Sequence, residues 1–337
     1  MLEKKLYSWL RDMPRNASFQ KDVGNEPFIS IQTDIGTSRS ENQDRVAGIW
    51  VNSKSIADSS FVTFVVCDGM GGIEDGAGSA TTALSTFLAE MLRGRRLNVK
   101  IRLNNAVCAA NEAVVKNNNG GSTLAAVTFS NGRLYTVNVG DSRIYSVNND
   151  GVKRHSKDDN LKEIVGGDDE GLLQYIGMGD GLSPHIEMIK RQHGQIFITS
   201  DGVHNLDPIV FNKIALNASS PSELANRLMN TALWTGSKDN VSIVTVSEDS
   251  LFESMKIQTD TEVTVWCPKG ELQIIWPNSY QDRSPKLENQ TAKLGKRNEP
   301  APDLFDEKTK RKHKKRPNKK KTQGEGKVGF SDLEGGQ

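Results

Sequence analysis

The sequence predicts an α+β fold, and three observations favour it. Short apolar runs broken by Gly and Asp occupy residues 28–67, helical periodicity follows over residues 77–116, and strand-like runs with one late helix continue to residue 246. Separate blocks of strands and helices, in place of a regular βαβ alternation, are typical of α+β domains. The 337 residues suffice for one large or two small domains. No apolar run approaches the roughly 18 residues of a membrane span, so none is expected.

The strand predictions depend on apolar runs and on the turn residues between them. Phe61–Cys67 is almost continuously apolar, as in a strand buried on both faces. Asn131-Gly132 separates two apolar runs and is a strong signal for a tight hairpin. The other strands are expected at 28–33, 46–51, 122–129, 134–139, 144–147, 186–189, 195–199 and 241–246.

The helix predictions depend on apolar residues spaced three and four apart, which places them on one face of a helix. This pattern occupies residues 77–92, 104–116 and 221–233. A shorter amphipathic pattern at Leu2–Leu10 precedes a polar stretch, so residues 1–27 are interpreted as a leader. Alternating apolar residues on both sides of Cys267-Pro268-Lys269-Gly270 predict an accessory β-hairpin within residues 250–280.

The charge of the chain is unevenly distributed. Ten of the 43 Lys and Arg residues lie in residues 308–321, which leaves 33 basic residues against 42 acidic ones elsewhere. Such a block repels itself, so residues 281–337 are predicted to be a disordered basic tail. Two alternatives for the tail stay open: a solvated segment without a fixed partner, or a segment that contacts an acidic partner or nucleic acid.

The cysteines and the first residues of the chain predict a cytoplasmic location. Cys67, Cys108 and Cys267 are far apart and odd in number, which favours reduced thiols over a disulfide framework. Residues 1–15 mix charged and apolar side chains and lack the apolar core of a secretory signal.

Four aspartates share one local setting, at the end of an apolar strand and usually beside glycine: Asp68, Asp141, Asp201 and Asp239. Magnesium and manganese prefer oxygen ligands, so carboxylates at several strand ends favour a shared divalent cation. Asp-Gly is also ordinary turn chemistry, and one such site alone carries little weight. The glycines after Asp68 match neither a dinucleotide fingerprint nor a P-loop. The histidines 155, 185, 193 and 204 lack metal-ligand spacing and are expected at the surface or in loops.

These aspartates belong to an ordered series of motifs. The series consists of Arg39-Ser-Glu-Asn-Gln-Asp44, Val66-Cys-Asp68-Gly-Met-Gly-Gly72, Gly121-Ser-Thr123, Val139-Gly-Asp141-Ser-Arg143, Thr199-Ser-Asp201-Gly202 and Lys238-Asp239-Asn240. It resembles the metal-dependent Ser/Thr protein phosphatases of the type 2C, or PPM, family in their bacterial form, over about two thirds of the chain. The resemblance implies a four-layer αββα sandwich of two antiparallel sheets flanked by helices, with a catalytic domain at residues 28–249.

The resemblance also implies roles for individual residues. Asp68 would bridge two Mn²⁺ or Mg²⁺ ions, the carbonyl group of Gly69 would bind one of them, and Asp201 and Asp239 would complete the other's ligands. The remaining assignments are Asp141 as ligand of a weaker third ion, Asp44 as a catalytic residue acting through water, and Arg39 as the catalytic residue that binds the substrate phosphate. The implied reaction is direct hydrolysis of phosphoserine or phosphothreonine by water activated at the two ions, without a phosphoenzyme.

Two positions depart from the family pattern. Some relatives carry His after the first Asp-Gly, where it serves as a proton donor, and this chain carries Met70. Many relatives carry Glu beside the early Asp, and this chain carries Gln43, which removes one charge from the surroundings of the ions. Weaker metal binding is therefore expected.

The sequence thus predicts a monomeric protein phosphatase that acts on phosphorylated proteins and opposes a Ser/Thr kinase. A second hypothesis from another class is a catalytically silent, phosphoprotein-binding scaffold with a basic tail. Intact aspartates 68, 201 and 239 favour the enzyme.

Overall fold

The computed structural model describes residues 2–23, 26–52, 60–70, 75–117, 120–161, 163, 166, 171–256 and 262–275. The strands are β1 (Asn16–Val23), β2 (Glu26–Asp34), β3 (Arg45–Asn52), β4 (Phe61–Cys67), β5 (Gly69–Met70), β6 (Gly121–Ser122), β7 (Leu124–Ser130), β8 (Arg133–Val139), β9 (Arg143–Asn148), β10 (Gly151–Arg154), β11 (His185–Ile189), β12 (Gln195–Thr199), β13 (Val241–Ser247), β14 (Glu262–Cys267) and β15 (Gly270–Ile275). The helices are α1 (Leu2–Leu10), α2 (Gly76–Arg93), α3 (Val99–Asn117), α4 (Asp201–His204), α5 (Pro208–Leu216), α6 (Pro221–Trp234) and α7 (Glu248–Met255). The predicted tail at 281–337 lies outside the described residues.

Two large antiparallel sheets form the centre of the domain. A six-stranded sheet has the order β1-β2-β13-β12-β9-β10, and a seven-stranded sheet has the order β11-β8-β7-β4-β3-β14-β15. The tight hairpin between β7 and β8 turns at Asn131 and Gly132, which have φ angles of 52° and 68°. Both residues are left-handed, as the Asn-Gly signal predicts for a type I′ turn.

Three apolar clusters separate the layers. One lies between the two sheets and includes Phe64, Ile144 and Val244. A second lies between the seven-stranded sheet and helices α1, α2 and α3, and a third lies between the six-stranded sheet and helices α4, α5 and α6. The order is therefore helices, sheet, sheet, helices, which confirms the predicted αββα sandwich.

The segment interpreted as a leader takes part in this architecture. Leu6 and Leu10 of α1 are fully buried in the cluster with α2 and α3. Strand β1 pairs with β2 from Asn16 to Val23, so it is an edge strand of the six-stranded sheet. The polar composition of β1 is typical of an edge strand with one solvent-facing side, and that composition suggested a leader.

The hairpin at the end of the described chain also extends a sheet. Strand β14 pairs with β3 across Val265 and Ile49, and β15 pairs with β14. Trp266 is 1% exposed, and its ring stacks on that of Phe64 with 6.1 Å between centroids. The predicted hairpin is therefore present as two sheet strands whose tryptophan fills the core between the sheets.

Candidate active site

The predicted site residues lie at strand ends and in the loops that join them. Asp68 follows β4, Asp201 opens α4 directly after β12, and Asp239 precedes β13. Asp141 lies in the turn between β8 and β9, and Asp44 directly precedes β3. The carboxylate of Asp68 interacts electrostatically with four neighbouring carboxylates, those of Asp44, Asp201, Asp239 and Asp141. The fold thus brings all five predicted aspartates together.

Asp68 and Asp201 form the middle of this cluster. Burial, followed by the four neighbouring carboxylates, raises the pKa of Asp68 well above its ordinary value. Burial and the charge of Asp239 raise the pKa of Asp201 to about 6, although a hydrogen bond with Asp68 opposes this shift. Like charges in a shared buried site disfavour ionisation, and a cation among them would reverse the effect.

Asp44 lies beside this pair in a fully buried position. Its Oδ2 accepts a hydrogen bond of 2.9 Å from the hydroxyl of Ser200. Its Oδ1 is buried without a hydrogen-bond partner. Burial is the main reason that the pKa of Asp44 rises to about 7, with the charges of Asp201 and Asp239 adding to it. Ser200 therefore orients one oxygen and leaves the other available as an acceptor.

Arg39 reaches the cluster from the loop between β2 and β3. Its Nη2 donates to Oδ2 of Asp239 at 2.5 Å, and half of the arginine side chain is exposed. The hydrogen bond to Asp239 is the main cause of the raised pKa of Arg39, and Asp68 and Asp201 add to it. The guanidinium group therefore stays charged at the edge of the carboxylate cluster.

Asn240 fixes the loop that carries Arg39, a role that sequence reasoning did not assign although the residue belongs to a quoted motif. Its Nδ2 donates to the carbonyl oxygens of Ile35 at 2.9 Å and Glu41 at 3.0 Å. Its Oδ1 accepts from the backbone N–H of Gln43 at 2.7 Å. Three backbone groups on both sides of Arg39 thus depend on one buried amide.

Two glycines are required by close backbone contacts in the site. Gly36 has φ of 75°, and a Cβ there would lie 1.9 Å from the carbonyl oxygen of Asp239. A Cβ on Gly69 would lie 2.3 Å from the carbonyl oxygen of Gly76 at the start of α2. Any side chain at either position would push apart the segments that carry Arg39, Asp239 and Asp68.

Asp141 is attached to a second polar network behind the cluster. Burial raises its pKa to about 7, with the charges of Asp201 and Asp158 adding to the shift. Arg143 donates to Oδ2 of the buried Asp158 from both Nε and Nη2, at 2.9 and 2.7 Å. Arg143 therefore fixes the turn of Asp141 through Asp158.

The donor set fits hard divalent cations. It consists of carboxylates, and Oδ1 of both Asp44 and Asp201 is buried without a partner. In the part of the chain that the structure describes, no three His, Cys, Asp or Glu side chains form a ready ligand set. Asp239 instead pairs with Arg39. Carboxylates with unpartnered buried oxygens are the type of ligand that Mg²⁺ and Mn²⁺ prefer.

A cleft of about 710 Å³ opens beside the cluster. Arg39, Asp201 and Asp239 contribute to its lining. Most of the rest of the lining comes from the turn between α4 and α5 and from the turn between α6 and β13. The cleft therefore joins the acidic cluster to a wider surface on the side of the six-stranded sheet.

The prediction for one histidine was wrong. His204 is 7% exposed, and its Nδ1 lies 2.9 Å from the hydroxyl of Thr199. Burial lowers the pKa of His204 well below its ordinary value, with Arg143 and Arg154 adding to the effect. It lies in α4 because that short helix turns back onto the six-stranded sheet, which spacing along the sequence does not reveal.

The fold and the site together define a class of protein: an αββα sandwich with a buried aspartate cluster and one arginine at a cleft. Residues 32–163 match the model of the family described as Protein phosphatase 2C. This match covers less than half of the chain, so the chain contains a region similar to that family.

Bacterial phosphatases are similar to this chain in sequence. The chain is 26% identical over 300 residues to the serine/threonine protein phosphatase PstP of Mycobacterium tuberculosis, which covers 82% of this chain and 55% of PstP. The chain therefore spans about half the length of that relative. It is 26% identical over 247 residues to the serine/threonine phosphatase stp of Listeria monocytogenes, covering 65% of this chain and 95% of stp.

The PstP catalytic domain, solved in complex with two manganese ions, shares the fold. Its TM-score is 0.55 at 24% identity, and the match covers 65% of this chain and 96% of that one.

Among the helices that the structure describes, none is both long and apolar enough to cross a lipid bilayer.

Proposed function

We propose that the chain is a metal-dependent phosphatase that hydrolyses phosphoserine and phosphothreonine in proteins. The observation that carries the proposal is the convergence of five aspartates and Arg39 beside one open cleft. The names of the bacterial relatives, serine/threonine protein phosphatases, support the same reaction. A Ser/Thr kinase would supply the phosphorylated substrate.

The proposed ligands follow the donor set of the site. Asp68, Gly69, Asp201 and Asp239 would hold two Mn²⁺ or Mg²⁺ ions, and Asp141 would hold a third. The manganese complex of the PstP catalytic domain supports two ions. Bound ions would polarise the phosphoryl group and lower the pKa of a water molecule.

The protein's own groups would position the reactants. Arg39 has a planar fork of donors, and it would hold two phosphate oxygens while one edge stays near Asp239. Ser200 fixes Oδ2 of Asp44, which leaves Oδ1 as the acceptor for a proton of the attacking water. The leaving serine or threonine oxygen would take its proton from solvent, since Met70 replaces the histidine of some relatives.

A direct test is phosphate release from a phosphothreonine peptide by the purified full chain, in Mn²⁺, in Mg²⁺ and in excess chelator. We expect turnover with metal, none with chelator, and a loss of at least 10²-fold in Arg39→Ala, of the order seen when a transition-state donor is removed. Arg133→Ala, on the exposed start of β8, is the matched control. Turnover that persists in chelator would reject the proposal. Folded protein that binds metal without turnover would favour the scaffold hypothesis.

The proposal extends to the state and location of the protein. We expect the protein to be a monomer. We also expect it in the cytoplasm, because its three cysteines are all free thiols.

A further inference from the structure

We propose that the outer part of the cleft binds an acidic side chain next to the phosphorylated residue of the substrate, and that Lys238 selects it. The inference depends on the proposed function, because it names the substrate class of the same site. Arg39, Asp201 and Asp239 in the cleft lining belong to the catalytic cluster. The remaining residues are free to determine which protein segment fits.

The size of the cleft indicates that it holds more than a phosphoryl group. Clefts of about 300 to 1,000 Å³ hold drug-sized ligands, which are larger than a phosphoryl group, and this cleft has about 710 Å³. Leu206 and Ala232 contribute buried apolar surface to its lining, and Asn205, Thr235 and Lys238 contribute exposed polar groups. An apolar base with a polar rim suits a side chain that has a methylene stem and a polar end.

The charges of the lining determine which polar end fits. Asp207 is the N-cap of α5, where its Oδ1 accepts from the N–H groups of Ile209 and Val210 at 2.9 and 3.0 Å. The positive end of the helix dipole compensates this carboxylate. Arg39 is paired with Asp239. Lys238 forms no ion pair with any residue that the structure describes, so it is the uncompensated charge of the outer lining.

The backbone keeps Lys238 next to the reaction centre. It directly precedes Asp239, and the preceding Ser237 is held by its hydroxyl, which donates to the carbonyl oxygen of Gly202 at 3.0 Å. The carbonyl oxygen of Ser237 in turn accepts from the N–H of Thr37 at 3.1 Å. The Lys238 side chain therefore extends from a fixed turn that touches both the Arg39 loop and α4. A carboxylate within one or two residues of the phosphate is in reach of it.

The test compares substrates within each variant. Phosphothreonine peptides of otherwise neutral sequence carry Glu, Gln or Lys at one position, in turn at each of the two positions on either side of the phosphothreonine. The measurement is kcat/KM in Mn²⁺ for the wild-type full chain, Lys238→Gln, Lys238→Glu and the control Lys100→Glu. Lys100 is an exposed residue of α3, on the other sheet, and its substitution changes the net charge equally.

We expect the wild type and Lys100→Glu to prefer Glu over Lys peptides at one or more positions by roughly 2- to 30-fold, the range for gaining one exposed ion pair and avoiding one repulsion. Lys238→Gln should reduce this ratio to near one, and Lys238→Glu should invert it. A wild-type ratio of one at all positions, or an unchanged ratio in both Lys238 variants, would overturn the inference. Phosphate release from none of the peptides by the wild type would overturn the proposed function itself.

Discussion

At the scale of single residues, the centre is built from groups that oppose folding. Asp44, Asp68, Asp141 and Asp201 leave water and gather beside one another, and their pKa values rise for this reason. Each raised pKa means that the folded chain binds the proton more tightly than the unfolded chain does. The carboxylates therefore stabilise the fold only while they are protonated, and divalent cations would take the place of those protons.

The first prediction concerns the pH dependence of stability in excess chelator. The contribution of these carboxyl groups to the free energy of unfolding is complete below their ordinary pKa of 3.8. It is lost as the pH rises to about 7, where Asp44 and Asp141 ionise. Asp68→Asn removes one charge from the cluster, so it should raise the melting temperature at pH 8 by roughly 3–10 °C. Each kcal/mol added to the free energy of unfolding raises the melting temperature of a domain of this size by about 2–4 °C. At pH 4 the difference should be small.

The control for this prediction is Asp150→Asn, in the exposed turn between β9 and β10. It should leave the melting temperature nearly unchanged at both pH values. A destabilised Asp68→Asn at pH 8 would contradict the account of a strained carboxylate cluster.

At the scale of elements, the loop between β2 and β3 brings Arg39 to the cluster. Asn240 satisfies three of its backbone groups, and the N–H of Ile35 donates to the carbonyl oxygen of Arg15 at 2.7 Å on the other side. The segment between α1 and β1 therefore supports the loop from outside. Arg39 owes its position to this double attachment.

The second prediction is that Asn240→Ala releases this loop. Three buried backbone groups lose their partner, so unfolding should become easier by about 2–4 kcal/mol, and kcat on a phosphopeptide should fall by at least 10-fold because Arg39 is misplaced. Asn111→Ala is the matched control, since Asn111 likewise holds the backbone of Gly177 and Gly179. Comparable destabilisation with much higher remaining activity is expected there. Equal loss of kcat in both variants would reduce Asn240 to a purely structural residue.

Features that depend on contiguous residues could be predicted from the sequence. Strand β4 and Asp68 are contiguous, so the apolar run predicts both the strand and the carboxylate at its end. The contacts of Asn240 join it to residues about 200 positions away, and no local pattern encodes them. The same holds for β1, whose polar sequence becomes a strand only because β2 supplies its hydrogen-bond partners.

At the scale of the whole molecule, the last described strands complete the sandwich. Trp266 packs between Phe64 and Trp50, with ring centroids at 6.1 and 5.9 Å. Leu251 and Phe252 of α7 belong to the same cluster between the sheets. The layered architecture therefore extends through residue 275.

The third prediction compares two truncations. A chain ending at residue 250 loses β14, β15 and most of α7, so it should unfold at a much lower temperature or fail to fold, since removing one large buried aromatic side chain alone costs about 3–5 kcal/mol. A chain ending at residue 281 retains these elements and should keep its turnover of a small phosphate ester. Melting curves and rates of ester hydrolysis, measured for both chains, test whether residues 251–281 are needed for folding and turnover. A stable, active chain ending at residue 250 would make the hairpin a true accessory.

The central claim is that the aspartate cluster holds the divalent cations on which phosphate hydrolysis depends. The most direct measurement titrates Mn²⁺ into chelator-treated full chain by calorimetry and follows phosphate release from a phosphothreonine peptide in the same samples. The account predicts about two ions per chain, with turnover rising as they bind, and loss of both binding and turnover in Asp239→Ala. Full turnover by Asp239→Ala, or by wild-type protein that holds no ion, would contradict it.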